Sequence, residues 1–247
     1  MRRVLIRKKW VVATLVMCIL LLGACGKKAN TTTSHQESKV VKKSELPKNV
    51  KSSDWNLVLV NSDHKLKQEL NFKQVTDGSI VINTKIESAL NKFVAAASKA
   101  GYKASLVSGY RSISYQKEVY ADSIQSYENS EKSVSEAEKL TKEYVAAPGS
   151  SEHHTGLAVD IMSSNWYAQH GDLDNSSEKD KGQKWLMDHA VDYGFILRFP
   201  KNKEKSTKID YETWHFRYVG KDNAKYIVKH NLSLEEYITL LNKEDKK

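Results

Sequence analysis

Ser151-Glu152-His153-His154-Thr155-Gly156-Leu157-Ala158-Val159-Asp160-Ile161-Met162 is the stretch on which the fold turns. It reads as a tight turn running into a β-strand. Side chains alternate along a strand, so Leu157, Val159 and Ile161 share one face and Ala158, Asp160 and Met162 the other. The first face is wholly apolar and belongs to a core. An aspartate set into such a strand needs a partner, because a buried unpaired carboxylate is costly. His153 lies before it across Gly156, and a glycine permits the sharp loop that folds the imidazole back. A metal ion satisfies both groups. A plain His–Asp hydrogen bond, or a helix carrying both at i and i+7, does so as well, and this segment alone leaves the choice open.

Glu212-Thr213-Trp214-His215 adds a second imidazole and a further carboxylate. With the first stretch it completes two imidazoles, a carboxylate as third ligand and a spare carboxylate, the inventory of a catalytic zinc site with an open position for water. Glu212 and His215 would face opposite ways on an ideal strand, so a site using both needs a turn, which Asp210–Thr213 can supply. Alone, the segment reads as a surface Glu beside a core-edge His. A third stretch, Ser108-Gly109-Tyr110-Arg111-Ser112 followed by Tyr115 and Gln116, sets an arginine at a strand-to-loop turn. Its guanidinium fork suits a carboxylate or a developing oxyanion, or an ordinary surface ion pair.

Around these segments helices and strands are mixed without a βαβ rhythm. The pattern predicts an α+β single domain, with a small, mainly antiparallel sheet flanked by helices and the site at the sheet face. Trp55–Asn61, Ala104–Tyr110, Leu157–Met162, Phe195–Phe199 and Trp214–Val219 read as strands. Thr84-Lys85-Ile86-Glu87 reads as a capping box opening a helix that ends at Gly101, and Ser233-Leu234-Glu235-Glu236 as another before a C-terminal helix. Residues 114–146 read as helical with a polar loop around Ser126–Glu136, residues 163–181 as a surface loop, and Gln183–Tyr193 as a helix stopped by Gly194.

The N-terminus reads as an export signal. Arg2, Arg3, Arg7, Lys8 and Lys9 precede the apolar run Trp10–Leu22, which is shorter than the roughly 20 residues of a membrane span. It closes on Leu22-Gly23-Ala24-Cys25, similar to a bacterial lipobox. Residues 1–24 are therefore expected to be a lipoprotein signal, Cys25 the lipidation site, residues 25–53 a flexible polar tether and residues 54–247 the enzyme domain. An uncleaved N-terminal anchor is the alternative. Either reading puts the domain outside the cytoplasmic membrane, and the first anchors it by lipid to the outer face. The two cysteines, Cys18 and Cys25, are both consumed by this segment, so a metal site must use His, Asp or Glu. Without residues 1–24 the net charge of +9 falls to +4, too weak to argue for nucleic acid.

The three stretches together resemble the zinc D-alanyl-D-alanine carboxypeptidases of the VanY type and their L,D-carboxypeptidase relatives, from about Trp55 to Leu241. The S-x-H-x-x-G-x-A-x-D motif is met by Ser151, His153, Gly156, Ala158 and Asp160, and E-x-W-H by Glu212, Trp214 and His215. The S-G-Y-R-S turn is met by Ser108–Ser112. The resemblance implies one zinc ion on His153, Asp160 and His215, and Glu212 as catalytic base. It also implies Arg111, Ser151 and Gln116 as substrate-binding residues. His154 adjoins the implied ligand where many relatives carry Gln, and Thr213 stands where the family often has Pro. The implied partners are peptidoglycan stem peptides, trimmed of a terminal D-alanine by a monomer. L,D action on tetrapeptides and D,D action on pentapeptides both fit, as does a D,D-dipeptidase or wall endopeptidase. A lipid-anchored binding protein fits the anchor but has no need of a spare glutamate beside a three-ligand set.

Overall fold

The computed structural model describes residues 46–246. The expected signal, Cys25 and most of the expected tether lie outside the described residues. Within them, Leu46 and Val50 already pack on a core cluster and Ser52 binds the Asp245 carboxylate, so the folded part reaches further toward the N-terminus than Trp55.

The elements run β1 (Gln74–Asp77), β2 (Ile80–Asn83), α1 (Thr84–Lys99), β3 (Ala104–Ser108), α2 (Ile113–Asn129), α3 (Val134–Tyr144), β4 (Ala158–Ser163), α4 (Ser164–His170), α5 (Lys181–His189), β5 (Phe195–Leu197), α6 (Glu204–Thr207), β6 (His215–Tyr218), α7 (Lys221–Lys229) and α8 (Leu234–Asp245). β1 and β2 form a hairpin, and the main sheet has the order β3-β4-β6-β5 with every pairing antiparallel. The expected α+β layout with a small antiparallel sheet is what the chain adopts.

One face of the sheet makes the core. Leu157 just before β4, with Val159 and Ile161 within it, meets Phe216 and Phe195 from the sheet, and Ile86, Leu90, Phe93 and Ala97 from α1. Phe93 is the hub: its ring stacks on Tyr193 at 5.3 Å and Phe195 at 5.8 Å and meets Phe216 edge-on at 5.8 Å. Burying side chains of this kind contributes about 1.5–3 kcal/mol each. A second cluster joins Leu57, Ile196 and Val219 to the C-terminal helices through Ile227, Tyr237 and Leu241. Ser233 and Glu236 form the expected capping box of α8.

Several elements differ from the sequence reading. Trp55–Leu57 is a 3-10 turn rather than the start of a strand. Its neighbourhood is apolar because Leu57 and Val60 are buried, while the carbonyls of Asn56 and Val58 are taken by the Arg217 guanidinium instead of a paired strand. α1 is capped by Asn83, which accepts from the Lys85 N–H, while the Thr84 hydroxyl donates to the Lys73 carbonyl. Residues 163–181 hold α4 and a 3-10 turn, Asn175–Lys179, capped by Asp174. The polar 126–136 segment is the end of α2, a short turn and the Ser133-capped start of α3.

Candidate metal centre

Asp160 and His215 are opposite each other in the β4–β6 pairing, so the two central strands aim both side chains from the same face. Asp160 Oδ1 lies 3.3 Å from His215 Nδ1. His153 arrives from the 3-10 turn Glu152–Thr155, which ends on Gly156 in the left-handed region at φ 63°. A methyl there would also meet the Phe72 ring at 2.7 Å, so glycine is required on both counts. The turn folds His153 back until its Nε2 is 3.3 Å from Asp160 Oδ2. The two imidazoles stand edge to face with centroids 4.8 Å apart.

These residues fit a zinc ion. Their three donor atoms lie within 4.8 Å of one another, and all three residues are buried. Two donors each about 2.1 Å from one tetrahedral ion stand about 3.4 Å apart, close to the two 3.3 Å separations. His153 Nε2 and Asp160 Oδ1 are buried without a hydrogen-bond partner, a costly arrangement that a shared cation relieves. His153 Nδ1 donates to the Gly109 carbonyl at 2.6 Å, which fixes the ring with Nε2 toward the site.

His154 points elsewhere. Its Nδ1 donates to the Arg111 carbonyl at 2.7 Å and its Nε2 accepts from the Gly149 N–H at 3.1 Å. Both ring nitrogens serve the backbone, so the geometry brings His153 and not His154 to Asp160.

Glu212 is carried by the irregular segment before β6. Its N–H donates to the Phe199 carbonyl, and Thr213 is pinned on both sides. The Thr213 N–H donates to Asn175 Oδ1, and its hydroxyl bonds Ser177 at 2.7 Å. A proline lacks both groups, so in this chain Thr213 ties the Glu212 turn to the loop carrying Asn175. The Glu212 Oε2 stands 3.7 Å from His215 Nδ1, beyond Asp160. Burial, aided by the Asp160 charge and opposed by His215 and Arg111, pushes its carboxyl up to about 8. Burial lowers His215, but the Asp160 and Glu152 carboxylates beside its ring outweigh that and raise it to about 9. His153 is lowered to about 4 by burial and the Arg111 charge. Asp160 is held well below the carboxylate range because the two imidazoles outweigh its burial.

Arg111 joins the same site. Its N–H donates to the His153 carbonyl, its side chain is near Asp160 and Glu212, and its Nε is buried without a partner. Gln116 donates through Nε2 to the Ala146 carbonyl, leaving Oε1 buried and unpartnered. Ser151 caps the His153 turn. All of these face one cavity of about 1010 Å3, whose far wall is the α2–α3 pair carrying Tyr120, Tyr127 and Tyr144. Sequence reasoning missed two supports. Glu69 holds the Arg111 turn through Tyr110 Oη at 3.0 Å and the Ile113 N–H at 2.6 Å. Glu152 is buried against Arg198 and Arg217. An acid beside the motif His, with two arginines in otherwise apolar strands, was the available signal for the second.

A buried His/Asp/His set with a spare carboxylate at the end of an open cavity defines a metallohydrolase centre. Residues 79–221 match the family model described as VanY, D-alanyl-D-alanine carboxypeptidase. The chain belongs to this family, and by class it is a metallo-carboxypeptidase with His153, Asp160 and His215 as its candidate metal site. YodJ of Bacillus subtilis is 38% identical over 205 residues, covering 83% of this chain and 67% of the relative. The vancomycin resistance D,D-pentapeptidase VanY, solved as a point mutant in complex with Zn(II), superimposes with a TM-score of 0.66 at 30% identity, covering 75% of this chain and 99% of that one. The LdcB LD-carboxypeptidase superimposes with a TM-score of 0.55 at 38% identity, covering 79% of this chain and 81% of that one.

Proposed function

We propose that this chain removes the C-terminal D-alanine from peptidoglycan stem peptides, with the tetrapeptide as preferred substrate. The observation that carries the reaction is the convergence of His153, Asp160, His215, Glu212 and Arg111 on one cavity. Preference for the tetrapeptide is supported by the greater identity to the LD-carboxypeptidase, 38%, than to the D,D-pentapeptidase, 30%. A cavity of about 1010 Å3 accommodates several residues of a stem peptide upstream of the bond.

His153, Asp160 and His215 hold the ion. Bound there, zinc supplies Lewis acidity toward the scissile carbonyl and lowers the pKa of a water. Glu212, drawn to its ionised form beside the added cation, takes the proton of the attacking water. The C–O bond forms, the C–N bond breaks, and Glu212 returns the proton to the departing amine of D-alanine. Arg111 presents its free Nε to the terminal carboxylate, which confines cleavage to chain ends. Ser151 and Gln116 line the substrate path beside it.

Mass spectrometry of muropeptides incubated with the mature chain, with and without a chelator, tests this reading. Chelator-sensitive loss of one alanine from tetrapeptides is expected. Loss from pentapeptides only would reassign the enzyme to the D,D branch. Release of a dipeptide, cleavage within cross-links or no cleavage would overturn the reading.

We further propose export and anchoring by lipid on Cys25, supported by the basic N-terminus, the apolar run and Leu22-Gly23-Ala24-Cys25. Labelling with a radioactive fatty acid should mark the chain, and Cys25→Ala should abolish the label. Labelling that survives the substitution would refute Cys25 as the site.

A further inference from the structure

Against the metal centre lies a buried ion cluster that the proposed reaction does not use. Glu152 Oε1 accepts from Arg198 Nε at 2.7 Å and Arg217 Nη1 at 2.6 Å. Arg198 then grips Glu235 of α8 through Nη1 at 3.0 Å and Nη2 at 2.6 Å. Arg217 spends Nη2 on the Asn56 and Val58 carbonyls and Nε on that of Tyr218. Two guanidinium groups and two carboxylates balance in charge, and both arginines are fully enclosed. Burial would raise the Glu152 carboxyl, but Arg198 and Arg217 outweigh it and hold the group well below the usual range.

The second carboxylate oxygen is left over. Glu152 Oε2 is buried without a hydrogen-bond partner, and so is His215 Nε2. The two face each other at 3.6 Å. That exceeds a hydrogen bond, but a shift of about 0.7 Å closes it. The opposite ring nitrogen, Nδ1, is the one turned to Asp160 and Glu212. A neutral imidazole carries one proton, so a ring that gives Nδ1 to an ion keeps its proton on Nε2.

We propose that Glu152 is a positioning residue whose Oε2 accepts the Nε2–H of His215, fixing the ring with Nδ1 toward zinc. The two arginines clamp the first oxygen and thereby aim the second. This arrangement mirrors the Gly109 carbonyl that orients His153 through the opposite nitrogen, so the two imidazoles are set in complementary tautomers. The inference rests on His153, Asp160 and His215 being the ligands, which loss of zinc from His153→Ala tests separately.

Glu152→Gln keeps the shape but not the chemistry. If the amide oxygen serves the arginines, its NH2 opposes the Nε2–H of His215. If it flips, the NH2 opposes the guanidinium groups. Zinc affinity measured by chelator competition should fall about 10–100-fold in this variant. Glu235→Gln also disturbs the ion cluster, but it does not face His215 and should bind zinc like the unaltered chain. Long-range proton–nitrogen correlation on the 15N-labelled zinc form should show His215 bound through Nδ1 and protonated at Nε2. Binding through Nε2 would overturn the proposal, and this readout stands even if Glu152→Gln fails to fold. A folded Glu152→Gln with unaltered zinc affinity, or an equal loss in Glu235→Gln, would overturn it as well.

Discussion

Gly109→Ala is the smallest change that should reach the metal centre from outside it. A Cβ built on Gly109 falls 2.3 Å from the Val81 carbonyl oxygen of β2 and 3.1 Å from the Ile80 Cβ. Carbon-to-oxygen contacts ordinarily stand at about 3.3–3.6 Å, so β2 and the 108–111 turn must part by about 1 Å. Both sides resist. The Tyr110 N–H donates to that same Val81 oxygen at 2.5 Å, and Ile80 and Ile82 are buried in the core. Overpacking of this kind costs about 1–3 kcal/mol. The Gly109 carbonyl also holds His153 Nδ1 at 2.6 Å, so the ligand moves with the turn. A displacement near 1 Å in a catalytic array costs on the order of 100-fold in rate. Thermal unfolding with and without zinc, together with turnover on tetrapeptide, should show a lowered Tm and a weakened zinc-induced rise in it. An alanine variant with unaltered Tm, zinc affinity and turnover would refute the claim that the β2 contact positions His153.

Glu212→Gln should retain zinc by metal analysis and lose about 10²–10⁴-fold in turnover, the range for removal of a general base. Retained turnover would remove Glu212 from the proton path. His153→Ala should lose zinc, while His154→Ala should keep it and unfold at a lower temperature, because His154 serves only the Arg111 and Gly149 backbone. The reverse pattern in metal analysis would move the ligand by one residue. The chelated protein should lose stability as pH rises from about 6.5 to about 9. Glu212 holds its proton to about 8 when folded against 4.5 unfolded, so its contribution falls from pH 4.5 to about 8. Below 6.5 the depressed His153, which gains stability as pH rises to that value, offsets the fall, and above 6.5 the loss is net. His215, raised from 6.5 to about 9, contributes fully below 6.5 and is lost through 9. Zinc, which requires His215 deprotonated at the bound nitrogen, should bind more tightly over the same rise. A flat profile of Tm against pH in chelator would contradict these assignments.

The candidate ligand residues stand out in the sequence because each breaks a local rule. Asp160 interrupts an apolar strand, His153 precedes a glycine that can turn, and His215 opens a strand whose other residues are apolar or paired. The core face of β4 followed from alternation alone, and Ser233–Glu236 announced α8 by its own capping chemistry. What could not be read depended on distant partners. The apolar content of Trp55–Val60 was real, but its carbonyls pair with Arg217, and no local pattern shows an arginine replacing a strand. The Asp174–Lys179 segment looked like loop because its residues favour turns. It is ordered by Asn175 and Ser177 bonding Thr213, a contact between segments far apart in sequence. The β1–β2 hairpin passed unnoticed because Gln74–Asp77 is half exposed and polar, and only Ile80–Asn83 carries core residues. Glu152 was hidden by adjacency: beside two histidines it looks like one more polar residue of a turn.

A crystal structure of the zinc-loaded chain, with anomalous diffraction measured at the zinc edge, tests the central claim most directly. The account predicts one ion bound by His153 Nε2, the Asp160 carboxylate and His215 Nδ1, with Glu212 close by but outside the coordination shell. An ion held by His154, an ion ligated by Glu212, or no anomalous peak between β4 and β6 would contradict it.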